Sequence, residues 1–189
     1  MQIKLLSFLF FLLTTFSFSS LYAQSTGKKR EVGVQFTGLN FDGNNTFGGF
    51  YKKQLSENKY RRIRFFTGNL SADVINDEFL FSLSLGAAIG REKRRSLDDR
   101  LEFYSGPEIS FSVGVQSRTD IDDATSISLS PRFGYVFGLQ HSFNERWAIN
   151  LETIPGIRVG VLLLPGDNYN LSLDAAASNL VSLGAVRKF

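Results

Sequence analysis

A closed, antiparallel up-and-down transmembrane β-barrel of eight strands is the all-β fold predicted by three features of this 189-residue chain. After the first 23 residues, apolar side chains recur with a period of two rather than the 3.6 of a helix. The alternating runs are 10 to 20 residues long. Strands of soluble proteins usually run about 5 to 6 residues, whereas a membrane-crossing strand needs about 9 to 11. Finally, the face opposite the apolar one is Ser, Gly, Asn and Gln with scattered charges, which suits a narrow, filled lumen.

The first segment, 1–23, reads as a cleaved export signal. Lys4 gives the positive start, Leu5 to Phe18 the apolar stretch, and Ser19-Ser20-Leu21-Tyr22-Ala23 the cleavage region before Gln24. Leu21 is larger than the residue usual at its place. The apolar run is shorter than the roughly 18 to 20 residues of a spanning helix. Residues 24–30 read as a short periplasmic segment and 31–189 as the barrel. Lys4 is the only charge removed with the signal, leaving 20 Lys+Arg against 18 Asp+Glu. The basic pI of 9.2 is therefore no sign of nucleic-acid binding. The chain has no cysteine and one histidine. That excludes a disulfide scaffold, a thiolate metal site, a cysteine nucleophile and a lipid-anchored lipoprotein, and leaves little room for a zinc or Ser-His-Asp enzyme.

The strands are expected at 31–41, 46–55, 59–72, 78–91, 100–116, 125–143, 146–163 and 170–189. The first two are set by breakers on either side. In the third, Arg61, Arg62 and Arg64 interrupt the apolar face. The fourth alternates Phe79, Phe81, Leu83, Leu85, Ala87 and Ile89 with small residues. The fifth bears Pro107 and Glu108. The sixth sets Ile127, Leu129, Phe133, Tyr135, Phe137 and Leu139 against Ser126, Ser128, Ser130, Arg132, Gly134 and Gly138. The seventh sets Trp147, Ile149, Leu151, Ile157, Val159 and Val161 against Asn150, Glu152, Gly156, Arg158 and Gly160. The last alternates up to Phe189; a break at Ser178-Asn179 would give ten strands instead of eight. Only strand geometry sorts such a pattern into two faces. Within a bilayer every backbone donor and acceptor must be paired, so the sheet must close. Eight strands close on an interior just filled by side chains.

The linkers alternate in kind. One set, around 42–45, 75–77, 117–124 and 165–169, is acidic, with Asp42, Asp77, Asp120, Asp122, Asp123 and Asp167 against Arg118. It is expected outside the cell. The other set, 56–58, 92–99 and 144–145, is expected in the periplasm, next to a girdle of Phe103, Phe143 and Trp147 with Phe189.

With these features, and above all with Val181, Leu183, Ala185, Arg187 and Phe189 alternating to a terminal phenylalanine, the mature chain resembles the small outer-membrane β-barrels of Gram-negative bacteria, the OmpA-barrel and OmpX-like group. The resemblance implies an outer-membrane location and a terminal Phe189 read by the barrel assembly machinery. Arg187 departs from the apolar residue usual two places before the end.

The inward-facing charges are the first candidates for chemistry. By parity they are Arg62, Arg64, Glu102, Glu108, Arg132, Glu152, Arg158 and Asp174, with Lys52 beside them. They are expected to form an ion-pair network that plugs the lumen, with Arg132 forked between Glu108 and Glu152, and Arg158 level with Asp174. The functional alternative is a selectivity filter or proton path. His141 and Ser142 are adjacent on a strand, so they point to opposite faces and make no nucleophile-base pair. Asp120-Ile121-Asp122-Asp123 has carboxylates for Ca²⁺ but lacks the glycine and closing glutamate of an EF-hand loop, so a solvated loop is expected. Pro107, Pro131 and Pro155 lie mid-strand on the outward face of three consecutive strands. Bulges or bends are expected there. The alternative is a lateral route for acyl chains, as in the lipid-A acyltransferase barrel, but Glu108, Arg132 and Glu152 beside the prolines are hostile to an acyl chain.

The expectation is thus an integral outer-membrane barrel without catalysis, cofactor or metal. Its partners are outer-membrane lipids and the barrel assembly machinery, not nucleic acid, and it is expected to be a monomer. The sequence names no ligand for the loops. The competing readings are a lipid-modifying barrel enzyme and a soluble periplasmic, lipocalin-like ligand binder.

Overall fold

The computed structural model describes residues 29–37, 46–75, 78–118, 125–164, 168–176 and 181–189, with the side chains at 46, 69–80, 118, 168 and 176 left aside. The export signal, the acidic residues Asp42, Asp77, Asp120, Asp122, Asp123 and Asp167, and the carboxylates considered for Ca²⁺ lie outside the described residues.

Every described element is a strand: β1 (Arg30–Thr37), β2 (Thr46–Ser56), β3 (Lys59–Ile75), β4 (Glu78–Ser96), β5 (Leu101–Arg118), β6 (Thr125–Ser142), β7 (Trp147–Thr153), β8 (Gly156–Leu164), β9 (Asn168–Ala176) and β10 (Ser182–Lys188). All pair antiparallel. The ring runs β1-β2-β3-β4-β5-β6-β7-β10 and back to β1, so it closes with eight staves. The seventh stave is β7 continued by β8, interrupted at Ile154 and Pro155. Both halves keep one register against β6, with Gly138 opposite Glu152 and Gly134 opposite Gly156. The eighth stave is β9 followed by β10. Its two halves differ by two residues in register against the seventh, as Gly156 faces Ala176 but Glu152 faces Ser182. The break the sequence allows, at Ser178-Asn179, lies outside the described residues, and the barrel closes with eight staves.

The stagger can be read from the pairs. Trp147 faces Arg187, then Val32, Tyr51, Ile63, Ile89, Ile109, Phe133 and Ile157 follow in turn, so one circuit returns to the seventh stave ten residues further along. Closure with such a stagger requires strands tilted by about 35 to 45°. The same walk traces a mostly apolar outer belt. Ile89, Ile109, Phe133 and Ile157 on it are more than half exposed. Inside, alternate positions are sealed: Tyr104, Val136, Gln140, Asn150, Glu152 and Val186 are almost inaccessible. Apolar outside and charged inside is the inverse of a soluble protein, and matches lipid as the solvent.

One expectation about local structure is corrected. Residues 92–96 are not linker. β4 runs on to Ser96, because the alternation continues through the charged run: Glu92 and Arg94 are buried, Arg91, Lys93 and Arg95 exposed. The turn is confined to Leu97–Arg100. Pro107 and Pro131 shift no register. They face Tyr135 and Phe111 within an unbroken β5–β6 register. The register shifts lie elsewhere, at Gln54/Ser56 and Thr67/Leu70. On its other side each proline opens a gap in the ladder without changing the register: the β4–β5 pairing skips from Gly90–Glu108 to Lys93–Ser105 around Pro107, and the β6–β8 pairing skips from Leu129–Val161 to Arg132–Arg158 around Pro131. Only Pro155 interrupts a strand, and its carbonyl still accepts from Tyr135 N at 2.9 Å.

Candidate functional site in the barrel lumen

The interior of the lower half of the barrel is charged. Short turns at Glu57-Asn58, Leu97–Arg100 and Phe143–Arg146 close this end. Asn144 tightens the last by accepting from Arg146 N at 2.9 Å and Trp147 N at 2.8 Å. The chain ends meet here too: Arg30 N donates to Phe189 O, and Phe189 N donates back to Arg30 O at 2.9 Å.

Arg62 on β3 is the centre. Its Nη2 and Nη1 donate to the two carboxylate oxygens of Glu152 at 2.8 and 3.1 Å. Its Nε lies 2.9 Å from Glu108, and Nη1 lies 3.6 Å from Glu92. Glu152 also accepts from Tyr104 Oη at 2.9 Å and from Gln35 Nε2 at 2.8 Å. Glu108 is gripped from its other side by Arg64, whose Nε donates at 3.2 Å.

A second knot surrounds Arg94. Its terminal nitrogens donate to both oxygens of Glu31 at 2.8 and 2.7 Å, its Nε to Glu92 at 2.9 Å, and Nη1 to Glu102 at 3.1 Å. The guanidinium stacks 3.9 Å from the Tyr60 ring centre. Glu92 joins the two knots, because its other oxygen meets Lys52 Nζ at 3.1 Å. Lys52 in turn sits over the Tyr104 ring at 4.1 Å. Four cations (Lys52, Arg62, Arg64, Arg94) thus face four buried carboxylates (Glu31, Glu92, Glu108, Glu152), with Glu102 at a rim that is about one-third exposed. Buried charge is tolerable when each ion is paired; here Lys52 Nζ, Arg62 Nε and Glu92 Oε2 are met by ion-pair contacts alone, and the other charged groups also by hydrogen bonds.

The sequence-derived candidates divide accordingly. Arg62, Arg64, Glu108 and Glu152 meet in one cluster, and Lys52 and Glu102 belong to its second knot. Arg158 Nη2 donates to Asp174 at 3.1 Å, but on the β8–β9 hairpin, half exposed and apart from the plug. Arg132 is corrected. It is not forked between Glu108 and Glu152; it stands opposite Ser110 and Arg158, and its Nη2 donates to the Ile154 carbonyl. Register explains this, since Glu108 faces Gly134 and Glu152 faces Gly138. Reading parity on adjacent strands missed Glu31, Gln35, Glu92 and Arg94. The signal was present for all four: Val32, Val34 and Phe36 mark the outward face of β1, and the period of two continues past Arg91.

Outside, Phe143 and Trp147 are exposed near the turns and Phe103 is partly so. Arg187 is turned outward too, its guanidinium 5.7 Å from the Trp147 ring and 5.0 Å from that of Phe189. Such a cation-π contact explains how an arginine fits two places before a terminal aromatic. His141 is exposed and packs edge-on against Phe143, while Ser142 accepts from Lys188 Nζ at 2.6 Å on the other face. Among the described residues, nothing in the lumen sets a nucleophile beside a free base. Among them too, no group of three acidic or histidine side chains is placed to hold a metal ion.

Solved structures share this architecture. A major outer membrane protein from Thermus thermophilus superposes with a TM-score of 0.51 at 11% identity, over 87% of this chain and all of that one. Ail, the attachment invasion locus protein of Yersinia pestis, gives 0.51 at 12% identity over 87% of this chain and all of its own. The fold is that of the small outer-membrane β-barrels. No protein-family model matches the sequence, and no curated protein matches it either. The content of the lumen is defined by the interior charges of the chain's own eight staves.

Proposed function

We propose that this protein is an integral outer-membrane barrel with a sealed lumen, whose role is played by its extracellular end and not by transport or catalysis. The observation that carries this is the Arg62–Glu152 ion pair. It crosses the lumen between staves that lie opposite each other in the ring, inside a cluster where Lys52, Arg62, Glu92 and Tyr104 are all but inaccessible. A chain of side chains packed wall to wall leaves no water-filled path. A catalytic reading lacks support, because every buried carboxylate of the cluster is already held by an arginine or lysine.

In this reading the barrel is a monomer, Phe189 is its signal to the assembly machinery, and outer-membrane lipids are its immediate partners. The recognition surface is the set of loops at the end away from the turns. Conductance tests it. Reconstituted in planar bilayers, the protein gives no steady open channel; a stable, large conductance refutes the sealed lumen.

One observation favours a second reading. Phe133, Tyr135, Pro155, Ile157 and Ala175 line an apolar groove of about 440 Å³ on the outer wall where the seventh stave is interrupted. A lipid tail fits such a surface, as a lipid-modifying barrel would require. Mass spectrometry of lipid A from cells with and without the protein discriminates: an acyl chain gained or lost with its expression favours the enzyme.

A further inference from the structure

The outer wall is not uniformly apolar. On β2, β3 and β4 the outward positions near the turns include Lys53, Lys59, Arg61, Arg91, Lys93 and Arg95, with the exposed Leu55 following Lys53. The pairing places them side by side: Lys53 faces Arg61, Arg61 faces Arg91, and Lys59 faces Lys93. No acidic residue shares these outward rows, and none of the six makes an ion pair among the described residues. Like charges directly opposite on a sheet repel, so six of them in adjacent rows favour counter-charge from outside the chain, beyond the exposed Glu57, Asp98 and Asp99 of the adjoining turns.

Position says what supplies it. Arg61 and Arg91 lie two residues below Ile63 and Ile89 on the same face, and Ile89 is more than half exposed in the apolar belt. Two residues of a tilted strand span only about 5 Å of the membrane normal. A soluble acidic protein would have to enter the bilayer to reach Arg91. A lipid headgroup is already at that depth, and long cationic side chains reach toward it with their stems on apolar surface. At the same end, β5, the β6–β7 turn, β7 and the C-terminus carry Phe103, Phe143, Trp147 and Phe189 instead. The rim is therefore two-sided, aromatic on one arc, with Arg187 set among the rings, and purely cationic in the paired rows of the other.

We infer that the β2–β4 arc is a binding surface for anionic phospholipid headgroups of the periplasmic leaflet. This rests on the membrane-inserted reading above. The ligand chemistry is a phosphodiester with net negative charge, met by guanidinium and ammonium groups that work additively near a charged surface.

The test uses the full mature chain refolded into vesicles of phosphatidylcholine with and without phosphatidylglycerol. Spin-labelled lipids of each headgroup report which lipid dwells against the protein. Wild type should prefer phosphatidylglycerol by about fivefold at low salt, and lose most of that preference near 1 M salt. Replacing all six cations with glutamine should abolish the preference. Exchanging Lys53, Lys59 and Lys93 for arginine should keep it. A wild type without preference, or a glutamine variant that retains it, overturns the proposal. Failure of the wild type to insert, seen as full protease sensitivity in the vesicles, overturns the membrane reading itself and the proposal with it.

Discussion

Arg62 and Glu152 hold each other across the full width of the barrel. β3 and β7 are four steps apart in either direction around the ring, yet two hydrogen bonds of 2.8 and 3.1 Å join their side chains. A bidentate guanidinium–carboxylate pair fixes both orientation and distance. Here it acts as a spoke that sets the separation of opposite walls; Tyr104 and Gln35 donate further hydrogen bonds to Glu152, and Glu108 pairs with Arg62 at Nε.

The first prediction follows from what removal leaves behind. Arg62→Met strands Glu152 and one side of Glu108 in a site that water scarcely reaches. The cost is the desolvation of unpaired charge, about 3 to 5 kcal/mol. Adding Glu108→Gln and Glu152→Gln removes the charges together and should recover much of it. Urea unfolding of the refolded barrel in vesicles measures both. A single variant as stable as wild type would show that the spoke carries no stability.

The second concerns Gly138. A Cβ there would overlap the Tyr104 ring, which packs directly against the β6 backbone at this point. Tyr104 cannot retreat without giving up its hydrogen bond to Glu152. Gly138→Ala should cost about 1 to 3 kcal/mol, in the range of core overpacking. Gly49 is a control, since the nearest atom to its Cβ is 3.8 Å away. If both alanine variants unfold at the same urea concentration, Tyr104 is not wedged as described.

The third concerns the wall. Leu85 is half exposed on the outer face and Ser84 points the other way. Leu85→Arg should cost about 2 to 4 kcal/mol if it lies near mid-membrane, and lower the yield of assembled barrel. Spin labels at the two positions check the facing. Contact with lipid-soluble quencher at residue 84 but not at 85 would invert the assignment.

Much of this architecture was legible because alternation is a local signal. Leu85, Ile109, Phe133 and Leu151 declare their face through their immediate neighbours, and so do Glu108 and Glu152. The charged run from Arg91 to Arg95 was harder, since polarity on both faces looks like a loop even where the backbone remains a strand. The centre of the plug was not legible. Whether Arg132 or Arg62 meets Glu152 depends on the ten-residue stagger around the whole ring. Stagger is a property of closure, and comparing adjacent strands at similar height cannot supply it.

That difference gives the last prediction. Arg132 and Arg62 are both inward-facing arginines in the same barrel, but their surroundings differ. Arg62 contacts three carboxylates and is inaccessible, whereas Arg132 is half-buried, faces Arg158 across the β6–β8 pairing, and donates to a backbone carbonyl. Removing Arg132 strands no acid. It forfeits one hydrogen bond, worth about 1 kcal/mol, and relieves repulsion from Arg158, which partly offsets the loss. Arg132→Met should therefore shift stability by about 1 kcal/mol or less, several times below the loss from Arg62→Met. The two variants are to be unfolded side by side in the same vesicles. Equal losses would mean that Arg132 shares the buried carboxylates after all, and that the register placing it opposite Ser110 is wrong.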